Sequence, residues 1–174
     1  RDIYPDLLAG REMILQQYTH MNSSFDILDY FGCFPAEGGH HQTEYYPYFR
    51  KNGKLIEEYG AMTGWGYKVD LEGAENMAVK IPAMTRCEEP IKYERGNEFG
   101  AYIIHSIETG EPRLFHGNVR NHGLIENHPP QAVVEVPCHV DENGFKPCRV
   151  GRIPEQLAAW QGQHIAVHEM AVKG

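Results

Sequence analysis

Apolar positions fall into a few short periodic blocks separated by glycine, proline and charge. Behind Tyr4-Pro5-Asp6, residues Leu7, Leu8, Met13, Ile14 and Leu15 supply one apolar face. Proline suits a first helical turn, so the pattern predicts a helix that Gly10 weakens. Asn22-Ser23-Ser24 reads as the cap of a second helix. Its Phe25, Leu28 and Phe31 stand at i, i+3 and i+6, the spacing of one buried stripe. Gly32 is placed to end it.

From 51 to 80 the periodicity breaks down among glycines and charges, with Gly53, Gly60, Gly64, Gly66 and Gly73. Helical fragments are expected around 55–59 and an irregular, mobile connection around 63–73. Such an excursion reads as a mobile insertion or lid, or as an oligomer contact. Trp65 and Tyr67 could close over a ligand or simply pin the segment down.

Beyond it, Phe99, Tyr102, Ile103, Ser106 and Ile107 share one side of a predicted helix that Gly110 stops. Residues 114–119 read as a strand. Asn118-Val119-Arg120-Asn121-His122-Gly123 reads as a turn-rich crossing, and 125–130 as extended and punctuated. Ala132-Val133-Val134-Glu135-Val136-Pro137 is a strong strand signal. Asp141-Glu142-Asn143-Gly144 is a hairpin turn with the favoured Asn-Gly pair. Pro154 opens a last helix. Helices with a few mostly antiparallel strands give an α+β class, taken as one domain over 1–174.

Composition narrows the function. The 174 residues are 41% hydrophobic and 23% charged, as in ordinary globular proteins. A net charge of -8, with no basic stripe, speaks against a nucleic-acid partner. No apolar run approaches the roughly 20 residues that cross a bilayer, and no leader-like segment stands out. Cys33, Cys87, Cys138 and Cys148 form no C-x-x-C pair. They read as reduced thiols, which favours a cytoplasmic protein. Both ends look cut: there is no initial methionine, and the last helix runs to Gly174.

The chemistry concentrates in Gly38-Gly39-His40-His41-Gln42-Thr43-Glu44-Tyr45-Tyr46-Pro47-Tyr48-Phe49. The stretch is poor in aliphatic residues and rich in groups that donate, accept or hold protons near neutrality. The bland alternative is a surface loop whose tyrosines pack on the body of the domain. A tyrosine serves as general base only if a neighbouring cation or metal lowers its pKa from near 10. Glu44 could be the base instead, or could orient a hydroxyl. Asn118, Asn121 and Asn127 form a second group. Their amides suit hydroxyl-rich ligands, or equally cap turns. His164 and His168 stand at i and i+4, a spacing that chelates zinc, although two helix-surface histidines explain them as well. Cys138 and Cys148 flank the hairpin and could face each other, with small buried thiols as the simpler account.

The order of these motifs resembles family 4 glycoside hydrolases, most closely their α-galactosidase and α-glucuronidase branch. The resemblance runs through Asp2-Ile3-Tyr4-Pro5, Phe31-Gly32-Cys33-Phe34-Pro35, the His40 to Phe49 stretch, Ile107-Glu108-Thr109-Gly110-Glu111-Pro112, Gly117-Asn118-Val119-Arg120-Asn121-His122-Gly123-Leu124-Ile125 and Val134-Glu135-Val136-Pro137-Cys138. It covers nearly the whole chain and is weakest over 51–80.

Most glycosidases work with two carboxylates. The resemblance implies another route: NAD takes hydride from sugar C3, a divalent metal, usually manganese, polarises the ketone, a tyrosine removes the C2 proton, and the glycosidic oxygen leaves by elimination. Tyr45 matches the base, with Glu44 and Tyr46 as rivals. His40, His41 and Glu44 match the polar loop lining the sugar, and Asn118 and Asn121 the asparagine block beside it. The family's glycine-rich dinucleotide loop and its cysteine and histidine metal ligands have no counterpart here, so no residue of this chain is assigned to NAD or to a metal. The resemblance therefore implies a substrate-side, carboxyl-terminal portion, a lactate-dehydrogenase-like domain lacking the Rossmann NAD-binding half and inactive alone. It also implies a small sugar substrate and a homo-oligomer, dimer or tetramer. Other readings are a non-catalytic carbohydrate-binding or subunit-assembly module, or a metal hydrolase using His40, His41, His164 and His168.

Overall fold

A computed structural model describes residues 2–61, 65–88, 90, 96 and 98–174, with the side chains of 19, 40 and 65–68 outside that description. The chain divides into two compact units, Arg1–Tyr93 and Glu94–Gly174.

The first unit is helical. Gly10 splits the predicted opening helix into α1, Tyr4–Ala9, and α2, Arg11–Gln17. A 3-10 turn, Thr19–Met21, leads into α3, Asn22–Phe31. Asn22 is the first residue of α3 rather than its cap: no side chain caps this helix, and Ser23 and Ser24 are buried. Ser23 instead donates its hydroxyl to the carbonyl of Gly39 at 3.0 Å. Phe25, Ile27 and Leu28 form the buried face of α3. Gly32 ends it in the left-handed conformation (φ 73°), with its N–H on the Leu28 carbonyl.

The stretch expected as a loop over 38–49 is instead a short helix, α4, Gly39–Tyr45, followed by a turn. Nothing between Gly39 and Tyr45 breaks a helix. Pro47 does, because the residue before a proline is pushed to extended backbone. Tyr46 is extended there, at φ -115° and ψ 136°. Helix α5, Gly53–Glu58, is capped by Asn52, whose side-chain oxygen accepts from the Leu55 N–H at 3.0 Å.

The irregular connection expected over 63–73 is also corrected. Helix α6 runs Trp65–Thr85, and residues 62–64 lie outside the described residues. Between 68 and 85 good helix formers dominate, and the single glycine, Gly73, costs only about 1 kcal/mol. Pro82 falls in its last turns.

The second unit builds a sheet between two helices in the chain. Helix α7, Gly100–Thr109, ends at left-handed Gly110 (φ 77°). Strands β1, Arg113–Arg120, β2, Val133–Asp141, and β3, Gly144–Pro147, form one antiparallel sheet in that order. Burial alternates along β1 and β2, as one covered face requires. Val134, Val136 and Cys138 point inward with Ile125 and Ala132, and Phe115, Val119, Leu124, Ile153 and Ile165 pack against them. Helix α8, Glu155–Lys173, starts after Pro154 and buries Leu157 and Ala158.

The hairpin differs in one detail from the Asn-Gly expectation. Asp141 pairs with Gly144, so Asn143 and Gly144 are not the two central residues. Gly144 carries the positive φ, 87°, as in a turn closed by a glycine bulge. The Asn143 N–H donates to Asp141 Oδ1 at 2.8 Å.

The described residues are thus α+β, with a single antiparallel sheet among them. Among them, no helix is long and apolar enough to cross a membrane. All four cysteines are free thiols; Cys138 is buried, and burial raises its pKa.

Candidate functional site

Helix α4 is held at both ends. At its start, Gly39 lies so close to α3's approach that a Cβ there would sit 1.8 Å from the backbone oxygen of His20. Only glycine permits that contact. Ser23 fastens the same residue from below through its bond to the Gly39 carbonyl.

At the other end Arg50 reaches back. Its Nε donates to Thr43 Oγ1 at 2.9 Å and its terminal nitrogen to Glu44 Oε1 at 3.3 Å. Thr43 is buried, and Arg50 is three-quarters covered. The second oxygen of Glu44 lies 3.3 Å from Nδ1 of His41, one helical turn earlier. His41, Glu44 and Arg50 therefore form one chain of charge-capable groups along α4, with both oxygens of Glu44 engaged.

Tyr45 ends this helix and is 46% exposed, so its ring is accessible on a fixed mount. Tyr46 turns the other way into an aromatic cluster. Its ring centroid lies 6.3 Å from those of Phe31, Tyr48 and Phe49. Phe49 is buried against Tyr59 at 4.7 Å, and Tyr59 donates to Asp26 Oδ2 at 2.6 Å. Burial, with Tyr48 and Cys33 nearby, pushes the Tyr46 pKa up. That shift makes the Tyr46 phenolate harder to form near neutral pH. His40 lies on α4, and its side chain is outside the described residues.

The asparagine group belongs to the second unit, and its members do different work. Asn118 lies on the exposed face of β1, directly opposite Glu135 on β2. Asn121 is fully buried. Its amide nitrogen donates to the carbonyls of Ile125, His128 and Pro129 at 2.9, 3.0 and 3.2 Å, and its oxygen accepts the Ile125 N–H at 2.7 Å. In this arrangement it spends its polar groups closing the 121–130 loop rather than meeting a ligand. Asn127 makes a reciprocal pair with the backbone of Ile153, at 2.9 and 3.1 Å. His122, exposed between Asn121 and Gly123, holds a left-handed φ of 42°.

His164 packs edge-on to Trp160 with ring centroids 6.1 Å apart. Among the described residues no three His, Cys, Asp or Glu side chains converge as a metal site.

Arg50 escaped the sequence reading, and Gly39 entered it only as part of the stretch, without its close contact. Gly39 carried a signal, since paired glycines before a helix invite a packing question. Arg50 stands just past the motif as one arginine among many, and only folding brings it back over α4.

Comparison with known proteins gives these residues a context. All of residues 1–174 match the model of the family 4 glycosyl hydrolase C-terminal domain. An α-galactosidase of Bacillus subtilis (strain 168) is 34% identical over 181 residues, covering 99% of this chain and 40% of the relative. A solved Bacillus subtilis protein described as a glucosidase superposes with a TM-score of 0.70 at 22% identity, over 86% of this chain and 34% of that one. A 6-phospho-α-glucosidase from gut microorganisms, solved in complex with NAD and glucose-6-phosphate, gives 0.58 at 22% identity, over 85% and 33%. This chain thus spans well under half the length of the proteins it matches. On the match across its full extent, the chain belongs to the C-terminal domain family of the family 4 glycosyl hydrolases.

Proposed function

We propose that the protein carrying this chain hydrolyses O-glycosyl bonds of α-galactosides or α-uronides by oxidation at C3, proton abstraction at C2 and elimination. One observation carries the assignment of roles: Tyr45 is exposed at the end of a helix that Gly39 and Arg50 clamp at both ends. A base must be held within hydrogen-bond reach of its proton, and a fixed helix end does that better than a loose loop. The sequence likeness to an α-galactosidase supports the galactoside.

In this reading Tyr45 takes the C2 proton. His41, Glu44 and His40 hold sugar hydroxyls. In the second unit, taken by itself, Asn118 offers its amide from the exposed sheet face and Asn121 shapes its loop. NAD and manganese supply the redox and polarising chemistry. The part assigned to this chain is binding and proton transfer. A polypeptide of residues 1–174 alone then turns over no substrate. The whole protein is a cytoplasmic homo-oligomer.

The test is an assay of the full-length protein on aryl α-galactosides and α-uronides, with NAD, manganese and a reductant. Activity should need both cofactors and fall at least about a hundredfold in Tyr45→Phe, the scale of general-base catalysis. Activity indifferent to both cofactors would remove the mechanism. Full activity in Tyr45→Phe would remove Tyr45 as base.

A further inference from the structure

Helix α6, Trp65–Thr85, takes no part in the site described above. Every residue on it from Val69 to Pro82 is exposed. A helix in water draws most of its stability from packing one face on something else. Here Val69, Met77 and Ile81 are each near half exposed, at 44, 47 and 51%. With Gly73 they stand four residues apart and form one ridge, about 18 Å long. Leu71 and Val79 lie on the far side with Glu75, singly, as scattered surface residues do.

Gly73 is a second observation. A glycine inside a helix costs about 1 kcal/mol relative to alanine. A Cβ at Gly73 would meet nothing within 4 Å, so no neighbour in the described chain requires glycine there. Close approach by another molecule would require it.

The charges say what approaches. Glu72 and Lys80 lie on one flank of the ridge with Asn76 between them. Ridge and flank complement themselves when a second α6 is laid antiparallel, centred on the level of Glu75. Val69 then meets Ile81 of the second copy, Gly73 receives its Met77, and Glu72 comes beside its Lys80. The two-fold symmetry repeats each contact. Glu75, level with the centre, sits on the far side of the helix, so no like charges face each other there.

We propose that α6 is an interface between two copies of the protein, paired antiparallel along Val69, Gly73, Met77 and Ile81 and held in register by two Glu72–Lys80 pairs. It rests on the glycosidase reading only for the homo-oligomer named there, to which it gives a surface.

The experiment is analytical ultracentrifugation of the full-length protein over a dilution series. Wild type is compared with Glu72→Lys, Lys80→Glu and the double variant E72K/K80E. Each single variant brings like charges together twice per dimer and should raise the dissociation constant at least about tenfold. The double variant should return to within about threefold of wild type, because opposite charges face each other again. Met77→Glu sets an unpaired charge against the ridge and should weaken association at least about a hundredfold. Association that ignores these variants would mean that another part of the same protein covers α6, and would overturn the proposal. A double variant no better than the singles would overturn it too. A monomeric wild type removes the homo-oligomer as well. Sedimentation reads no catalysis, so none of these failures touches the hydrolytic reading.

Discussion

Arg50 Nε lies 2.9 Å from Thr43 Oγ1, so a side chain beyond the turn is anchored on a buried hydroxyl inside α4. The same guanidinium then holds Glu44. Arg50→Ala should cost about 1–2 kcal/mol of stability, since it removes a bond to the buried Thr43 hydroxyl and frees the helix end. Activity of the full-length protein should fall with it. Arg50→Lys keeps the charge but not the fork, so it should recover stability more than activity. Thermal melts and kcat of the three proteins check this. An Arg50→Ala protein with full activity would detach Arg50 from the site.

Gly39 and Gly38 are neighbours with opposite tolerances. A Cβ at Gly39 meets the His20 backbone oxygen at 1.8 Å, whereas one at Gly38 meets nothing within 4 Å. Gly39→Ala should therefore destabilise the protein by about 3 kcal/mol or more, because backbone cannot step aside. Gly38→Ala should stay within about 0.5 kcal/mol of wild type. Denaturant titration of both variants reads the difference directly.

Asn121 should behave as a structural residue of its loop. Asn121→Ala removes the partner of the Ile125 N–H and a bond to each of three carbonyls, of which those of Ile125 and Pro129 keep a backbone N–H, at a cost of about 2–4 kcal/mol. Asn118→Ala, on the exposed sheet face, should change stability by less than about 0.5 kcal/mol and raise KM instead. Equal effects of the two substitutions on both quantities would contradict this division of labour.

The contrast between these asparagines shows what the chain could reveal unaided. Helix ends at Gly32 and Gly110, the buried strands, and the family resemblance all follow from local signals: left-handed glycines, period-two alternation and motif order. Asn118, Asn121 and Asn127 look alike in sequence because an amide serves a turn or a sugar equally well. Burial separates them, and burial is set by residues far along the chain. The helix Gly39–Tyr45 was hidden for a related reason. Its seven residues are too few and too polar to show an apolar period, and its support comes from His20, Ser23 and Arg50. In α6 the scattered glycines suggested an irregular path, but only Gly73 falls well inside the helix.

Tyr59 gives a pH test of the first unit. Its hydrogen bond to Asp26, then burial, pushes its pKa well above the ordinary tyrosine value. A group whose pKa is raised by folding contributes stability in full below its unfolded pKa, near 10, and loses it as pH rises through the folded one. Tyr59→Phe should thus cost about 1–2 kcal/mol at pH 7. The gap between variant and wild type should hold up to about pH 10 and narrow above it. A gap that widens with alkaline pH would contradict the assignment.

The central claim is that a proton leaves sugar C2 on its way through this site. Hydrolysis of an aryl α-galactoside by the full-length protein in D2O, followed by proton NMR of the released sugar, tests it most directly. Exchange of the abstracted proton with solvent should leave deuterium at C2 of the product. A product that keeps its full C2 proton signal would contradict the account.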